Sequence, residues 1–302
     1  MLIWDLQGGN QMDFYYINNR GQKIDLSDYP YMFQSGDLLN WKDSYTTRSL
    51  AKRDITSDYK LSVKEIPVQI AVLCDFSIPL AERKEEWKEA VDHLADVLQA
   101  DVVDGKAGRI YTDTGYYMNC KVVGSEKSNW KMGLPFMFNT MTILADRPIW
   151  IHEESRSFPP ISSGTQQDET YLDYEHDYDY DYTMPYGGDV IWNVDHFAPC
   201  EFLMTIFGPA VDPRIVINGH PYQVYTTLDT NEYLQIDSRN NRVIKYLANG
   251  IQQDIYDLRA KQESVFDPIT PGNVSIVWPG DFGFDLTLFC ERSEPQWKTQ
   301  SS

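Results

Sequence analysis

The side chains of this sequence most able to do chemistry are carboxylates: 45 Asp and Glu in 302 residues, against 26 Lys and Arg. Asp177, Asp179 and Asp181, in the run YLDYEHDYDYDY, stand at the D-x-D-x-D spacing that opens a calcium loop. An EF-hand loop starting there would need glycine at position 182 and glutamate at position 188, where the chain has Tyr182 and Gly188. Strict alternation instead puts Tyr178, Tyr180 and Tyr182 on one face of a strand and the three aspartates on the other, so a packed tyrosine face with a solvated acidic face is the better account. A glycosidase requires two carboxylates at a defined separation, and in a chain this acidic their proximity in sequence has no weight. The histidines, His93, His152, His176, His196 and His220, make no metal-ligand spacing, and G-x-S-x-G, Walker, G-x-G-x-x-G and H-E-x-x-H motifs are absent. The expectation is a protein without catalytic residues, metal or cofactor.

The net charge of −19 argues against a grip on nucleic-acid phosphates, which depends on clustered Lys and Arg that release counterions. No apolar run approaches the roughly 20 residues of a membrane helix, and the N-terminus lacks the basic and apolar regions of a secretory signal, so neither membrane insertion nor export is expected. Cys74, Cys120, Cys200 and Cys290 lie far apart inside apolar runs, which suits buried reduced thiols rather than a disulfide frame or zinc site.

The elements behind these residues read as mainly β with one prominent α-helix. Between 201 and 243, apolar runs at 202–207, 214–217, 223–226 and 233–236 alternate with the turn signals Gly208-Pro209, Asp212-Pro213, Asn218-Gly219, Thr230-Asn231 and Asn240-Asn241. That rhythm predicts an antiparallel meander inside a sandwich, with 215–217 and 221–224 joined by an Asn-Gly-His turn. Two further strands, 274–278 and 284–291, flank Pro279-Gly280-Asp281 and complete it. In the N-terminal half, 66–76 is apolar throughout and fits a central strand. The helix is expected at 80–99, entered at Pro79 with Glu82, Glu85 and Glu86 in its first turns, and it covers a sheet through Trp87, Val91, Leu94 and Leu98; His93 lies off that stripe. Strands at 2–6 and 14–17, a hairpin of 109–112 with 116–123, and a long strand at 134–144 complete this half. The polar, proline-rich stretch 155–168 marks a connector, giving a β domain at 1–152, a linker at 153–169 and a sandwich at 170–302.

Two segments could recognise other molecules. Between 29 and 60 the pattern weakens into polar residues with Trp41, Arg48, Lys52 and Arg53, a locally basic stretch that is either a solvated loop or a dock for an acidic neighbouring subunit. In the second half, Trp192, Tyr222 and Tyr225 are the aromatics that would stack on sugar rings in a lectin.

The order of these features resembles the distal tail protein of phages with siphophage morphology. The N-terminal half ends on Ala145-Asp146-Arg147-Pro148-Ile149-Trp150, similar to the Asp-Pro-Phe-Trp ending of that family, with Arg147 interrupting and Ile149 replacing the aromatic. The second half runs from the Tyr/Asp alternation through Phe207-Gly208-Pro209-Ala210, Ile217-Asn218-Gly219 and Glu232 to Ser238, ending on Trp278 and Trp297; Asp254 stands where the family has Asn. The resemblance spans nearly the whole chain and is weakest at 29–56. It implies an N-terminal ring-forming β domain and an outward C-terminal galectin-like sandwich, with no enzymatic activity and no carbohydrate-binding insertion. It further implies a homo-hexamer, in one ring or two stacked, at the tip of a virion tail assembled in the host cytoplasm. The implied partners are the tail tube protein, a tail-associated hub or lysin protein and a receptor-binding protein, with a channel through which DNA passes. Trp41, Arg48, Lys52 and Arg53 are the ring-interface candidates, with the hairpin at 109–123 second; a host-surface adhesin using Trp192, Tyr222 and Tyr225 is the alternative.

Overall fold

Val68, Ile70 and Val72 alternate inward along a strand whose other face is also covered in part, and this is why Lys64–Val72 becomes the middle of the N-terminal sheet. The structure, a computed structural model, describes residues 12–75, 77–130, 135–161 and 188–298. The expected strand at 2–6 and the Tyr/Asp alternation at 171–182 lie outside the described residues. The chain divides into two compact units, Met1–His152 with Glu291–Ser302, and Glu153–Cys290. Both are mostly β, and among the described residues there is one α-helix.

In the first unit Lys64–Val72 pairs antiparallel with Met137–Ala145 on one side, Val72 opposite Met137 and Lys64 opposite Ala145, and with Tyr31–Gly36 on the other. Met137, Asn139, Met141, Ile143 and Ala145 are buried while the residues between them are not, a period-2 pattern that fixes the register. Tyr117–Ser128 has three neighbours: its first residues pair with Gly108–Thr112, Tyr117 also opposes Ile151, and the rest pair with Met137–Ala145 across an irregularity at Thr142/Ile143. Gly124 faces that irregularity, and a Cβ there would lie 3.0 Å from Thr142 Oγ1. Gly108–Thr112 then pairs with Phe14–Ile17, and that strand with Lys23–Asp25.

The helix, Leu80–Asp104, lays Leu94, Val97 and Leu98 into this core with Trp87, Ala90 and Val91 packed at its margin. Each fully buried apolar side chain of this size contributes about 1.5–3 kcal/mol. The helix runs five residues beyond the expected end at 99 because its stop signal is Gly105, left-handed at φ 67°. Its last turn is locked to the first hairpin through Asp101, a fully buried carboxylate that accepts from the Tyr16 hydroxyl and from Asn19 N–H at 2.7 Å. Burial, and then the Asp101 contact, push the Tyr16 phenol above its ordinary range. A Cβ at position 108 would collide with Asp101, the Ile17 carbonyl and the Tyr16 hydroxyl, so only glycine fits there.

The second unit is a sandwich. One sheet contains Gln252–Asp254, Arg242–Tyr246, Tyr233–Asp237, Glu201–Phe207 and Phe284–Arg292 in that order; the other contains Gly188–Val194, Gly272–Trp278, Arg214–Ile217 and His220–Gln223. Between them lie Phe202, Met204, Ile215, Leu234, Ile276, Phe284 and Leu286, all at 1% exposure or less. Phe284 stacks on Phe158 at 4.6 Å between centroids and meets Trp278 edge-on. Glu232 accepts from Lys245 Nζ at 2.7 Å and from the Asp229 N–H at 3.0 Å, and these bonds hold its carboxyl below the ordinary value.

Several expectations need correction. Ile217 opposes His220, so the hairpin turn is the two-residue Asn218-Gly219 at φ 52° and 82°, not a widened one, and the strand is His220–Gln223, one residue earlier than the expected 221–224. The run is not a simple meander, since this hairpin sits in the sheet opposite to Glu201–Phe207 and Tyr233–Asp237. The expected linker 153–169 begins inside a strand, Trp150–Phe158, where Phe158 is anchored by the core. The expected sandwich 170–302 loses its tail, because 291–302 belongs to the first unit, where Arg147 forks onto Glu291 at 2.8 and 2.6 Å.

Candidate assembly interface

Ser44–Leu50 and Arg53–Lys60 form a two-stranded sheet of their own, paired with no other described strand. Only Ser44 and Ser57 are even half-buried; every other residue of the two strands is exposed. The register sets Arg48 opposite Ile55 and Leu50 opposite Arg53, so alternation gathers Arg48, Leu50, Arg53 and Ile55 on one face. Thr47, Ser49, Asp54 and Thr56 take the other face. At the open end Tyr45 and Tyr59 sit 6.1 Å apart, Ser44 shares a hydrogen bond with Ser62, and Trp41 is 56% exposed. Lys64 anchors the base by donating to the Asp37 carbonyl at 3.2 Å and to the Asn40 carbonyl, and its partial burial lowers the ammonium's pKa.

Residues 42–60 carry Lys42, Arg48, Lys52, Arg53 and Lys60 against Asp43, Asp54 and Asp58, a local excess of positive charge in a chain of −19. Trp41 thus precedes the open end of the ribbon, and the three cations expected at an interface lie toward its turn. The exposed Tyr45 and Leu50 belong to the same stretch, 41–53, whereas sequence reasoning missed Ile55 and Tyr59, exposed residues on the returning strand. An isolated two-stranded hairpin is at best marginally stable in water, and this one buries no apolar face of its own. The second-choice hairpin is different, since Gly108–Thr112 and Tyr117–Ser128 are built into the sheet through Ile110, Met118 and Cys120.

The helix residues Trp87, Val91, Leu94 and Leu98 all face the first unit's core, Leu94 and Leu98 at 1% and 5% exposure. Of the three sugar-stacking candidates, Tyr222 is excluded by its burial: its ring meets Phe202 edge-on, and its hydroxyl donates to the Asp267 carbonyl at 2.7 Å. Burial raises its pKa. Trp192 is half-buried against the sandwich core beside Phe158. Tyr225 is exposed and lines a cleft of about 540 Å³ with Arg214, Gln223, Arg259 and Glu263. Among the described residues, no group of three or more His, Cys, Asp or Glu could hold a metal ion, and no helix is long and apolar enough to cross a membrane.

In fold the chain is similar to solved phage hub and baseplate proteins. The chain is similar to the SPP1 Dit (gp 19.1) protein, a paradigm of the hub adsorption apparatus in phages infecting Gram-positive bacteria. The identity is 13% and the TM-score 0.59, over 93% of this chain and 99% of that one. It is equally similar to a chain of the phage p2 baseplate in its activated conformation, at 11% identity and TM-score 0.58 over 94% and 100% with strontium, and at 0.57 with calcium. No family model matches the sequence, and no curated protein sequence matches it significantly.

Proposed function

We propose that this chain is a distal tail protein, a structural and non-enzymatic component of a phage tail tip, whose copies form a hexameric hub. The observation that carries this reading is the likeness to SPP1 Dit along 93% of this chain and 99% of that one, which leaves little of either fold over. In this reading residues 1–152 with the C-terminal segment build the ring, and the sandwich faces outward. The ring joins the tail tube protein to a hub or lysin protein and to receptor-binding protein, and assembles in the host cytoplasm before taking its place in the virion.

A ring needs a heterologous contact, two different complementary patches on each protomer, whose rotation closes. The hairpin at 44–60, with Trp41 beside it and Arg48, Lys52 and Arg53 upon it, supplies one patch, and the acidic surface of the next copy supplies the other. An acidic lumen would let DNA pass without holding it. Light scattering and negative-stain microscopy test the proposal: six-fold rings are expected, and monomers alone at micromolar concentration would overturn it.

A second reading, a host-surface carbohydrate-binding adhesin, has one observation in its favour, the exposed Tyr225 in its polar cleft. Glycan-array binding by a monomer, lost in Tyr225→Ala, would support it over the ring.

A further inference from the structure

Cys200 and Cys290 are far apart in sequence and adjacent in space. Their Sγ atoms lie 3.7 Å apart inside the second unit's core, with Cys200 fully buried and Cys290 nearly so. Glu201 opposes Phe289 in the antiparallel pair of Glu201–Phe207 with Phe284–Arg292, so one step back in register Cys200 opposes Cys290. The Cys200 N–H and carbonyl are both exchanged with Ile269, at 2.9 Å each, and therefore point away from the strand that carries Cys290. The two cysteines are thus a non-hydrogen-bonded cross-strand pair, the closer kind, with Cα atoms about 4.5 Å apart. A disulfide accepts Cα separations of about 4.4–6.8 Å, so the two sulfurs can approach to bonding distance by side-chain rotation with little movement of the backbone.

We propose that Cys200 and Cys290 are a redox modification site, joined into a cross-strand disulfide when the protein meets a small-molecule disulfide of the oxidised-glutathione class. One thiol loses its proton and attacks the small disulfide, releasing one small thiol and leaving a mixed disulfide. The second cysteine then loses its proton, attacks the mixed disulfide at the protein sulfur and releases the second small thiol. Two electrons pass from the protein sulfurs to the former small disulfide, and two protons pass with them. Glu154 Oε1, 3.9 Å from Cys290 Sγ and partly open to solvent, is a carboxyl placed to take up a proton. The Cys200 contact and burial both raise the Cys290 thiol's pKa, and burial with Asp195 raises that of Glu154. The pair is therefore a poor nucleophile while the unit is closed, and the reaction waits on opening at the strand ends.

The bond would close a loop spanning 90 positions and tie the start of Glu201–Phe207 to the end of Phe284–Arg292. Bond formation is independent of the tail-hub reading. Only its timing, after release from a reducing cytoplasm, rests on that reading.

The test is incubation of the full chain with oxidised glutathione, both well below and just below its melting temperature, followed by denaturing alkylation and mass spectrometry. The expected product has lost two hydrogen masses, gives one peptide pair linked through Cys200 and Cys290, and melts on the order of 10 °C higher than the reduced protein. Cys290→Ala should lose both effects, whereas Cys74→Ala should keep them. The reduced melting temperatures of both variants report whether they fold. Four alkylated cysteines after incubation just below the melting temperature, a stable glutathione adduct with no linked pair, or linkage through Cys74 or Cys120 would each overturn the proposal. Light scattering on the same samples keeps it separate from the ring, since Cys290→Ala should leave oligomeric state unchanged.

Discussion

Two hairpins of this molecule differ in what holds them. The one of Arg214–Ile217 with His220–Gln223 turns on Asn218-Gly219 and puts Ile215, Ile217 and Tyr222 into the sandwich core, so its own unit satisfies it. The one of Ser44–Leu50 with Arg53–Lys60 is longer and sets Leu50 and Ile55 into solvent among arginines. Backbone hydrogen bonds are made in both, and they contribute little net stability because water competes for them. The contrast teaches that burial decides whether a hairpin belongs to its own chain or awaits another surface.

The sharpest break of that contrast is one substitution made in both places. Ile215→Asp buries an unpaired carboxylate and should cost several kcal/mol, on the order of the whole unit's margin, so that thermal unfolding of the second unit is lost or drops steeply. Ile55→Asp, on a residue 41% exposed, should stay within about 0.5 kcal/mol. Equal effects would mean that the 44–60 hairpin is packed intramolecularly.

Assembly should respond in the opposite sense. Leu50→Glu with Ile55→Glu removes the apolar part of the proposed contact and should weaken association by about 3 kcal/mol, roughly two decades in sedimentation equilibrium, without lowering the protomer's melting temperature. A smaller effect distinguishes the tyrosines. Tyr222→Phe should cost about 1 kcal/mol by leaving the Asp267 carbonyl without its donor, whereas Tyr225→Phe should be silent in thermal unfolding.

The smallest expected effect is one of pH. The Glu232 carboxyl is held below its ordinary value of 4.5 by Lys245 and the Asp229 N–H, so it titrates lower folded than unfolded. Its contribution is complete above the unfolded value and is lost as pH falls through the folded one. The melting temperature of the wild type should therefore decline more than that of Glu232→Gln as pH falls below about 4.5. Parallel curves would show that the pair adds nothing.

The helix was legible because Trp87, Val91, Leu94 and Leu98 recur at its period, and its true end was equally legible in Gly105, a residue suited to the left-handed stop. The burial of Tyr222 was available too: a two-residue Asn-Gly turn sets it opposite Ile215, on the side that enters the core. The hairpin at 44–60 carries no such mark. Its turn residues, Ala51 and Lys52, are not turn formers, and a strand that buries neither face has no reason to alternate. The same holds for Asp101 and Gly108, whose meeting depends on where two distant segments cross. Local pattern records what a segment buries within its own fold and is silent about contacts made only in three dimensions.

The return of residues 291–302 to the first unit, fastened there by Arg147 on Glu291, makes the sandwich an insertion with two covalent exits, after His152 and after Cys290. Tension applied between the units is then shared by two backbones in parallel, and each feels only part of the pull. A single protease nick within Trp150–Phe158 would leave both pieces attached, and the severed strand would re-pair at the high effective concentration of a tethered reaction. A sandwich held at two exits tolerates one broken bond.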